Sequence, residues 1–167
     1  MKPLPLDYTD KLSMHLDAIF GSGVSKVLDG RPVSFEFSRK TGRVKSFKVG
    51  ENLAGTFRTD GGVAITVSGA ALLIGSADFL KNCVNVLEDA VPFVSEGRSV
   101  FCKHVTSCGS NVRVGSDVAI LDSSGKGVIA VGVSLLDGRC MKAYQRGVAV
   151  RIREGIKGRT EQSGTGI

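Results

Sequence analysis

Three side chains that can carry positive charge lie within seven residues of one another in the second half of the chain. Arg98, Lys103 and His104 follow Gly97, and this glycine can end a preceding short helix by adopting a left-handed conformation. Apolar and polar residues then alternate at a period of two, which predicts a strand over 99–105. The three side chains would lie close together, either as contacts for an anion or as charges that protect an exposed strand edge.

Two arginines lie on the predicted last strand, over 147–153. The apolar residues of this strand share one face, which leaves Arg151 and Arg153 on the other face. Guanidinium groups form forked, charge-assisted hydrogen bonds with phosphate oxygens. The strand therefore predicts a second set of phosphate contacts.

The densest cationic cluster of the first half lies at a predicted β-hairpin. Strands over 33–38 and 44–49 flank a turn that contains a glycine. The cluster consists of Arg39, Lys40, Arg43, Lys45 and Lys48. It fits either a phosphate contact or a solvated hairpin tip.

The overall charge suits a polyanionic partner without establishing one. The 167 residues include 22 lysines and arginines against 16 aspartates and glutamates, so that the formal net charge is +6. Aromatic residues make up 6% of the chain and tryptophan is absent. Recognition of a nucleic acid through its backbone and shape is therefore favoured over broad stacking on exposed bases.

Membrane and metal-binding functions find little support in the sequence. No apolar run approaches the roughly 18 residues of a membrane span, and the first residues lack the apolar core of a signal peptide. We therefore expect a cytoplasmic protein with no membrane partner. The four cysteines have no paired short spacing, so we expect no metal site and no cofactor. Cys102 and Cys140 lie in apolar runs and are expected in the core.

The remaining pattern predicts two domains and a tail. A helix over 9–20, with Thr9 as its capping residue, precedes four short strands and a helix over 70–80. The pattern restarts near 81–85, and the several short strands that follow are typical of a small barrel. We predict an α+β domain over 1–82, a mainly β domain over 83–155 and a disordered tail over 156–167.

Four blocks in the second half, taken in order, resemble a PUA domain. They are residues 96–105, 113–118, 130–132 and 146–151. The resemblance covers about 83–155. It implies a compact pseudobarrel that binds structured RNA through the turn between helix and strand and through the closing strand.

The PUA resemblance implies roles for individual residues at the matching positions. Gly97 would allow close approach of the backbone, and Arg98, Lys103 and His104 would face the RNA. Arg151 and Arg153 would flank the same groove from the closing strand. Phe101 and Val105 are expected in the core rather than as stacking platforms.

The first half resembles the segment that precedes the PUA domain in archaeosine tRNA-guanine transglycosylases. The matching blocks are residues 20–21, 40–44, 56–61 and 65–70. The catalytic barrel, the carboxylates and the zinc ligands of those enzymes have no counterpart in this sequence. The resemblance therefore implies a noncatalytic protein that binds RNA, with tRNA as the expected target, and positions it for a catalytic partner. A module that docks a catalytic subunit and has little RNA affinity of its own is the alternative.

An enzyme is the less favoured class. Asp60, Asp117 and Asp122 are the acids that could be enlisted, and each lies beside glycine or serine at an expected turn. Aspartate at such positions commonly accepts a hydrogen bond from its own backbone. No nucleophile, base and orienting group can be assembled from these residues, so we expect no catalytic activity.

Overall fold

A computed structural model describes residues 7–158 of the protein, which begin at a helix cap. Helix α1 spans Tyr8–Phe20, and the carboxylate of Asp7 accepts a hydrogen bond of 2.8 Å from the Asp10 N–H. The prediction that Thr9 caps this helix is wrong, because Thr9 lies inside the first turn. The buried face of α1 consists of Leu12, Leu16 and Phe20.

The first sheet is an antiparallel meander of four strands in sequence order. Its strands are β1 (Val33–Phe37), β2 (Val44–Val49), β3 (Asn52–Phe57) and β4 (Val63–Ile65). Helix α2 (Val67–Leu73) follows, and its Gly69 packs so closely on β3 that an added Cβ would lie 2.2 Å from the Ala54 carbonyl oxygen. The single helix predicted over 70–80 is instead α2 and a separate 3-10 segment, Ala77–Asn82.

The second sheet has six strands and nearly closes into a barrel. Its elements are β5 (Cys83–Val86), α3 (Val91–Ser95), β6 (Val100–Phe101), β7 (Val105–Cys108), β8 (Asp117–Leu121), β9 (Val128–Ser134), α4 (Gly138–Ala143) and β10 (Val148–Gly155). The strand order is β6-β10-β9-β8-β5-β7, in which only β5 and β8 pair in parallel. The two outermost strands, β6 and β7, are joined by a 3-10 turn over Cys102–His104, so the sheet curls back on itself. The predicted small barrel is confirmed.

The prediction of one continuous strand over 99–105 is wrong. The chain makes two-residue β6, then the 3-10 turn, and only then β7 at the opposite side of the sheet order. Val100 and Cys102 are both buried, as the alternation requires, but they anchor different elements. Alternation alone does not distinguish one continuous strand from two short strands joined by a tight turn.

Strand β8 connects the two halves because both of its faces are buried. Val118 and Ile120 belong to the core inside the barrel. Ala119 and Leu121 belong to the core of the first sheet and α1, which therefore packs on the outside of the barrel. A strand buried on both faces shows no polar alternation, and this explains the continuous apolar run in its sequence.

The end of the described chain lies against the barrel. The Ile156 N–H donates to the Ile129 carbonyl (2.9 Å), and the Lys157 N–H donates to the Ser95 carbonyl (2.8 Å). Ile156 and Lys157, at the start of the predicted tail, are therefore held by backbone hydrogen bonds. The remainder of that tail, 159–167, lies outside the described residues.

The cysteines are separate thiols within the described part of the chain. Cys83 and Cys102 are buried, whereas Cys108 and Cys140 are half-buried, so Cys140 is less enclosed than its apolar sequence context indicates. Burial raises the pKa of the Cys83 thiol to about 12. Across residues 7–158, no three histidine, cysteine, aspartate or glutamate side chains lie close enough to hold a metal ion.

Over the same residues, every helix is too short or too polar to span a bilayer.

Candidate functional site

The turn after α3 has the glycine conformation that its sequence predicts. Gly97 has a φ of +97°, which favours a residue without a Cβ. Its N–H donates to the Val94 carbonyl (2.9 Å), and the Arg98 N–H donates to the Phe93 carbonyl (3.1 Å). These two bonds form a Schellman motif, which fixes the direction in which the chain leaves the helix. Arg98 is therefore presented from a rigid turn.

Two exposed aromatic rings accompany the cations between Phe93 and His104, which we call the 93–104 stretch. The Arg98 guanidinium carbon lies 5.5 Å from the centroid of the Phe93 ring, and Phe93 is 52% exposed. The Phe101 ring is 44% exposed and meets the His104 ring edge-on at 6.3 Å. The expectation that Phe101 lies in the core is wrong, because its neighbour Val100 takes the interior position of the short strand β6.

The 3-10 turn holds Lys103 outward. Cys102 is buried beneath the turn, and its N–H donates to the Gly147 carbonyl (3.0 Å). At the other end of the turn, the His104 carbonyl accepts a hydrogen bond from the Leu87 N–H (2.9 Å). Lys103 projects between these two anchors and is exposed.

The cations of the 93–104 stretch are free to meet an external anion. Among the residues described, no carboxylate lies within ion-pair distance of Arg98 or Lys103. Arg151 is also exposed, on β10, which is the strand next to β6. Val150 pairs with Val100 and both are fully buried, so Arg151, the next residue, faces away from the barrel interior. The structure thus brings Arg151 to the strand beside the 93–104 stretch.

Arg153 lies elsewhere, at the junction between the two sheets. A β-bulge interrupts the pairing of β10 with β9 between Ile152 and Glu154, at the position of Arg153. The Arg153 Nη2 donates to the Ile65 carbonyl (2.6 Å), and its Nη1 lies 3.5 Å from Asp117 Oδ1. The guanidinium of Arg153 is therefore engaged with the first sheet and with β8, whereas Arg151 on the same strand is exposed.

A second arginine, which the sequence analysis missed, shares the same carboxylate. Arg58 Nη1 lies 3.2 Å from Asp117 Oδ1, and Arg58 Nη2 lies 3.2 Å from Asp60. Arg58 follows β3 of the first sheet, while Asp117 and Arg153 belong to the barrel. We call Arg58, Asp117 and Arg153 the junction triad. No local sequence pattern points to Arg58, because its partner Asp117 is 59 residues away.

Burial controls the ionisation of the junction triad. The side chain of Asp117 is 5% exposed, and this burial raises its pKa, although Arg58 and Arg153 partly offset the effect by favouring the charged form. Burial also lowers the pKa of Arg153, against the favourable charge of Asp117. By contrast, the hydrogen bond from the Gly62 N–H, followed by the charge of Arg58, lowers the pKa of exposed Asp60.

The three acids considered for catalysis therefore have structural partners. Asp60 accepts a hydrogen bond from the Gly62 N–H (2.8 Å), and Asp122 accepts one from the Ser124 N–H (3.0 Å), as predicted for turn aspartates. For Asp117 that prediction is wrong, because it lies on a buried strand and faces two guanidinium groups.

The nearly closed six-stranded sheet, entered through a short helix, a glycine turn and a short strand, defines a pseudobarrel of the PUA class. The family comparison agrees, since residues 83–156 match the PUA domain model. This part of the chain is a PUA domain, and the resemblance seen in the sequence is confirmed.

The full 167-residue chain also has relatives among tRNA-guanine(15) transglycosylases. It is 32% identical over 151 residues, 90% of its length, to a tRNA-guanine(15) transglycosylase of Methanothermobacter thermautotrophicus. It is 36% identical over 140 residues, 83% of its length, to the enzyme of the same description in Thermococcus onnurineus. Each match covers 23% of the relative, so the chain spans less than a quarter of these proteins. The chain is homologous to their PUA-containing region.

Two solved structures share the fold over nearly the full length. A hypothetical protein of Pyrococcus horikoshii superposes with a TM-score of 0.71 at 21% identity and covers 93% of each chain. A conserved PUA domain protein of Thermoplasma acidophilum superposes with a TM-score of 0.65 at 22% identity, over 87% of this chain and 86% of the other. The first sheet and the barrel therefore recur together.

Proposed function

We propose that this protein binds structured RNA through its PUA domain and that the RNA is a tRNA. The observation that carries the proposal is the 93–104 stretch, where two exposed aromatic rings lie beside cations that no carboxylate of the described chain neutralises. The choice of tRNA is supported by homology to the PUA-containing region of tRNA-guanine(15) transglycosylases.

The mechanism is positioning of the RNA by backbone and stacking contacts. Arg98, Lys103 and Arg151 bind phosphate oxygens and set the register of the RNA on the barrel. Phe93 and Phe101 offer ring faces or edges to unstacked bases at the end or in a loop of the RNA. Gly97 has its N–H bonded within the turn, so its contribution is the absence of a side chain where the RNA backbone passes.

His104 adds a contact that depends on its ring. Its edge-on packing against Phe101 holds the imidazole beside the exposed aromatic face. From that position the ring donates a hydrogen bond to a phosphate or to a base edge. Arg153 acts indirectly, because it fixes the barrel against the first sheet and so orients the 93–104 stretch relative to the rest of the protein.

The protein performs no chemistry of its own in this proposal. It presents the tRNA to a catalytic partner, so that the partner's active site meets one base in a productive orientation. The homologous region makes up 23% of the transglycosylases, which supports a division of labour between RNA positioning and catalysis. A catalytic subunit is therefore the expected protein partner.

The test is a salt titration of binding to tRNA and to duplex DNA of similar charge. We expect tighter binding to tRNA, and in the triple variant Arg98→Ala, Lys103→Ala, Arg151→Ala we expect the slope of log K against log salt to fall by about 3 units, roughly 0.9 for each phosphate contact. The triple variant Lys26→Ala, Lys48→Ala, Lys126→Ala is the matched control, since it removes three exposed charges elsewhere.

Equal, weak binding to both nucleic acids that neither variant changes would contradict the proposal. The alternative, a module that docks a catalytic subunit with little RNA affinity, would then be favoured. A catalytic partner retained after nuclease treatment would support that alternative. Loss of the partner together with the RNA would support the RNA-binding proposal.

A further inference from the structure

A groove on the first sheet has no role in the proposed PUA contact. It lies between α1, the β1–β2 hairpin and the end of β3, and has a volume of about 590 Å³. This volume falls within the roughly 300–1,000 Å³ typical of small-molecule sites. We call it the α1 groove, and its principal lining residues are Tyr8, Lys11, Phe35, Arg43, Lys45 and Phe57.

Aromatic rings form one side of the α1 groove. The Tyr8 ring is 48% exposed and lies 5.8 Å from the Phe35 ring and 5.1 Å from the Phe37 ring. Phe57 is half-buried, and its ring lies nearly perpendicular to the His15 ring at 5.5 Å between centroids. Tyr8, Phe35 and Phe57 thus line one concave surface.

The rim of the α1 groove is positively charged. Lys11, Arg43 and Lys45 line it, and no aspartate or glutamate of residues 7–158 does. Arg58 also lines it, but its guanidinium already pairs with Asp60 and Asp117 and adds little free charge. The Lys11 Nζ lies 5.4 Å from the centroid of the Tyr8 ring. Lys45 pairs with Glu36 at 3.9 Å, but both side chains are mostly exposed and such pairs are weak. The groove is thus complementary to a ligand that has both planar apolar surface and negative charge.

We propose that the α1 groove binds an unpaired segment of single-stranded RNA, with one base against Tyr8 and the adjoining phosphates on Lys11, Arg43 and Lys45. A cationic rim next to aromatic rings is the arrangement with which proteins hold unstacked nucleotides. Arg43 and Lys45 belong to the hairpin cluster, and the structure separates them from Arg39, Lys40 and Lys48, which do not line the groove.

This inference goes beyond the PUA proposal and is independent of it, because the two surfaces belong to different sheets. The fluorescence of Tyr8 allows binding at the α1 groove to be measured separately from binding at the PUA domain. The chain has two tyrosines and no tryptophan, so a Tyr144→Phe variant leaves Tyr8 as its only tyrosine. Stacking of a base on this ring would quench its fluorescence.

The experiment titrates the full-length Tyr144→Phe protein with single-stranded tetra-adenylate and with a short RNA duplex. We expect saturable quenching by the single strand and little by the duplex. Adding Arg43→Ala and Lys45→Ala should lower the salt slope of this binding by about 1.4, since each single-strand phosphate contact contributes roughly 0.7. Adding Arg39→Ala and Lys48→Ala instead removes the same charge from the same hairpin and should leave the salt slope unchanged.

A second measurement follows a fluorescein-labelled tetra-adenylate by anisotropy and needs no tyrosine signal. Tyr8→Ala should weaken its binding about 5- to 150-fold, the range expected for loss of one stacked base. Met14→Ala is the control, because Met14 is an exposed residue of the same helix that does not line the groove.

Three results would overturn the proposal. The first is an absence of tyrosine quenching by the single strand, and the second is an equal change of the salt slope in the two double variants of the hairpin. The third is quenching by a glutamate- and phenylalanine-rich peptide but not by RNA, which would assign the groove to an acidic protein segment. If the variant of the PUA domain bound tRNA as the wild type does, the proposed PUA contact would fail, but the tetra-adenylate measurements on the α1 groove would be unaffected. The two proposals can therefore fail separately.

Discussion

Arg98 and Arg153 belong to the same PUA domain and have the same side chain, but their surroundings differ. Arg98 lies over the exposed ring of Phe93 and has no carboxylate partner among the residues described. Arg153 faces the buried carboxylate of Asp117 and donates to the Ile65 carbonyl of the first sheet. The first guanidinium is available to a ligand, whereas the second holds the fold together.

Charge alone does not identify a binding residue in a basic protein. A guanidinium that already faces a buried carboxylate would have to give up that partner before it could bind a phosphate, and breaking a buried pair is costly. An exposed guanidinium over an aromatic ring keeps its donors free at the ring's edges. The partner of each cation decides its function.

The largest effect is expected from loss of the junction triad. Arg153→Ala leaves Asp117 buried with one guanidinium fewer and the Ile65 carbonyl without its donor. Since the Arg153 side chain is 35% exposed, the expected loss is about 2 kcal/mol of unfolding free energy rather than the full cost of breaking a buried pair. Urea denaturation measures it.

Arg151→Ala is the matched control for that prediction. Arg151 is exposed on the same strand, so its removal should change the unfolding free energy by no more than about 0.5 kcal/mol. Equal losses in the two variants would show that the junction triad contributes nothing particular to stability.

The Gly97 turn is expected to affect both stability and binding. Gly97→Ala places a Cβ at a φ of +97° and should cost about 1 kcal/mol of stability. Gly50→Ala introduces the same kind of strain in the turn between β2 and β3, where φ is +61° and no atom lies within 4 Å of the added Cβ. Both variants should melt earlier, but only Gly97→Ala should weaken tRNA binding. If both variants lost tRNA affinity to the same extent, the Gly97 turn would have no specific role in RNA binding.

A smaller, pH-dependent effect follows from Asp117. Burial raises its folded pKa, and loss of Arg153 removes part of the offset, so the folded pKa should rise further in Arg153→Ala. The pKa of an aspartate in the unfolded chain is about 3.9. When the pKa is higher than this in the folded protein, the free energy of unfolding increases as the pH falls through the folded-state pKa. The stability difference between wild type and variant should therefore narrow as pH falls from 7 towards about 4. Denaturation midpoints across that range measure it, and a constant or widening difference would contradict the account.

Much of the fold is predictable from local pattern. Alternation identifies β1 and β2, the glycine identifies the turn after α3, and the ordered blocks of the second half identify the PUA domain. Each of these features depends on residues close in sequence. The physical preferences that produce them, namely strand pleat and positive φ, act over only a few residues.

The features that local pattern does not predict depend on contacts between distant residues or on the way in which short elements follow one another. The bulge at Arg153 leaves no local signature, and it directs the guanidinium to a strand 88 residues away. Phe101 is exposed because two-residue β6 gives the interior position to Val100 and then passes into a 3-10 turn. The grouping of Tyr8 with the hairpin in the α1 groove likewise requires the packing of α1 on the first sheet.

The most direct test compares tRNA binding by Arg98→Ala and Arg153→Ala across a salt titration at a temperature where both variants are folded. Arg98→Ala should reduce the salt slope by about one unit with little change in stability, whereas Arg153→Ala should leave the slope unchanged. Equal reductions in slope would place both arginines on the RNA and would contradict the distinction between a binding and a structural guanidinium.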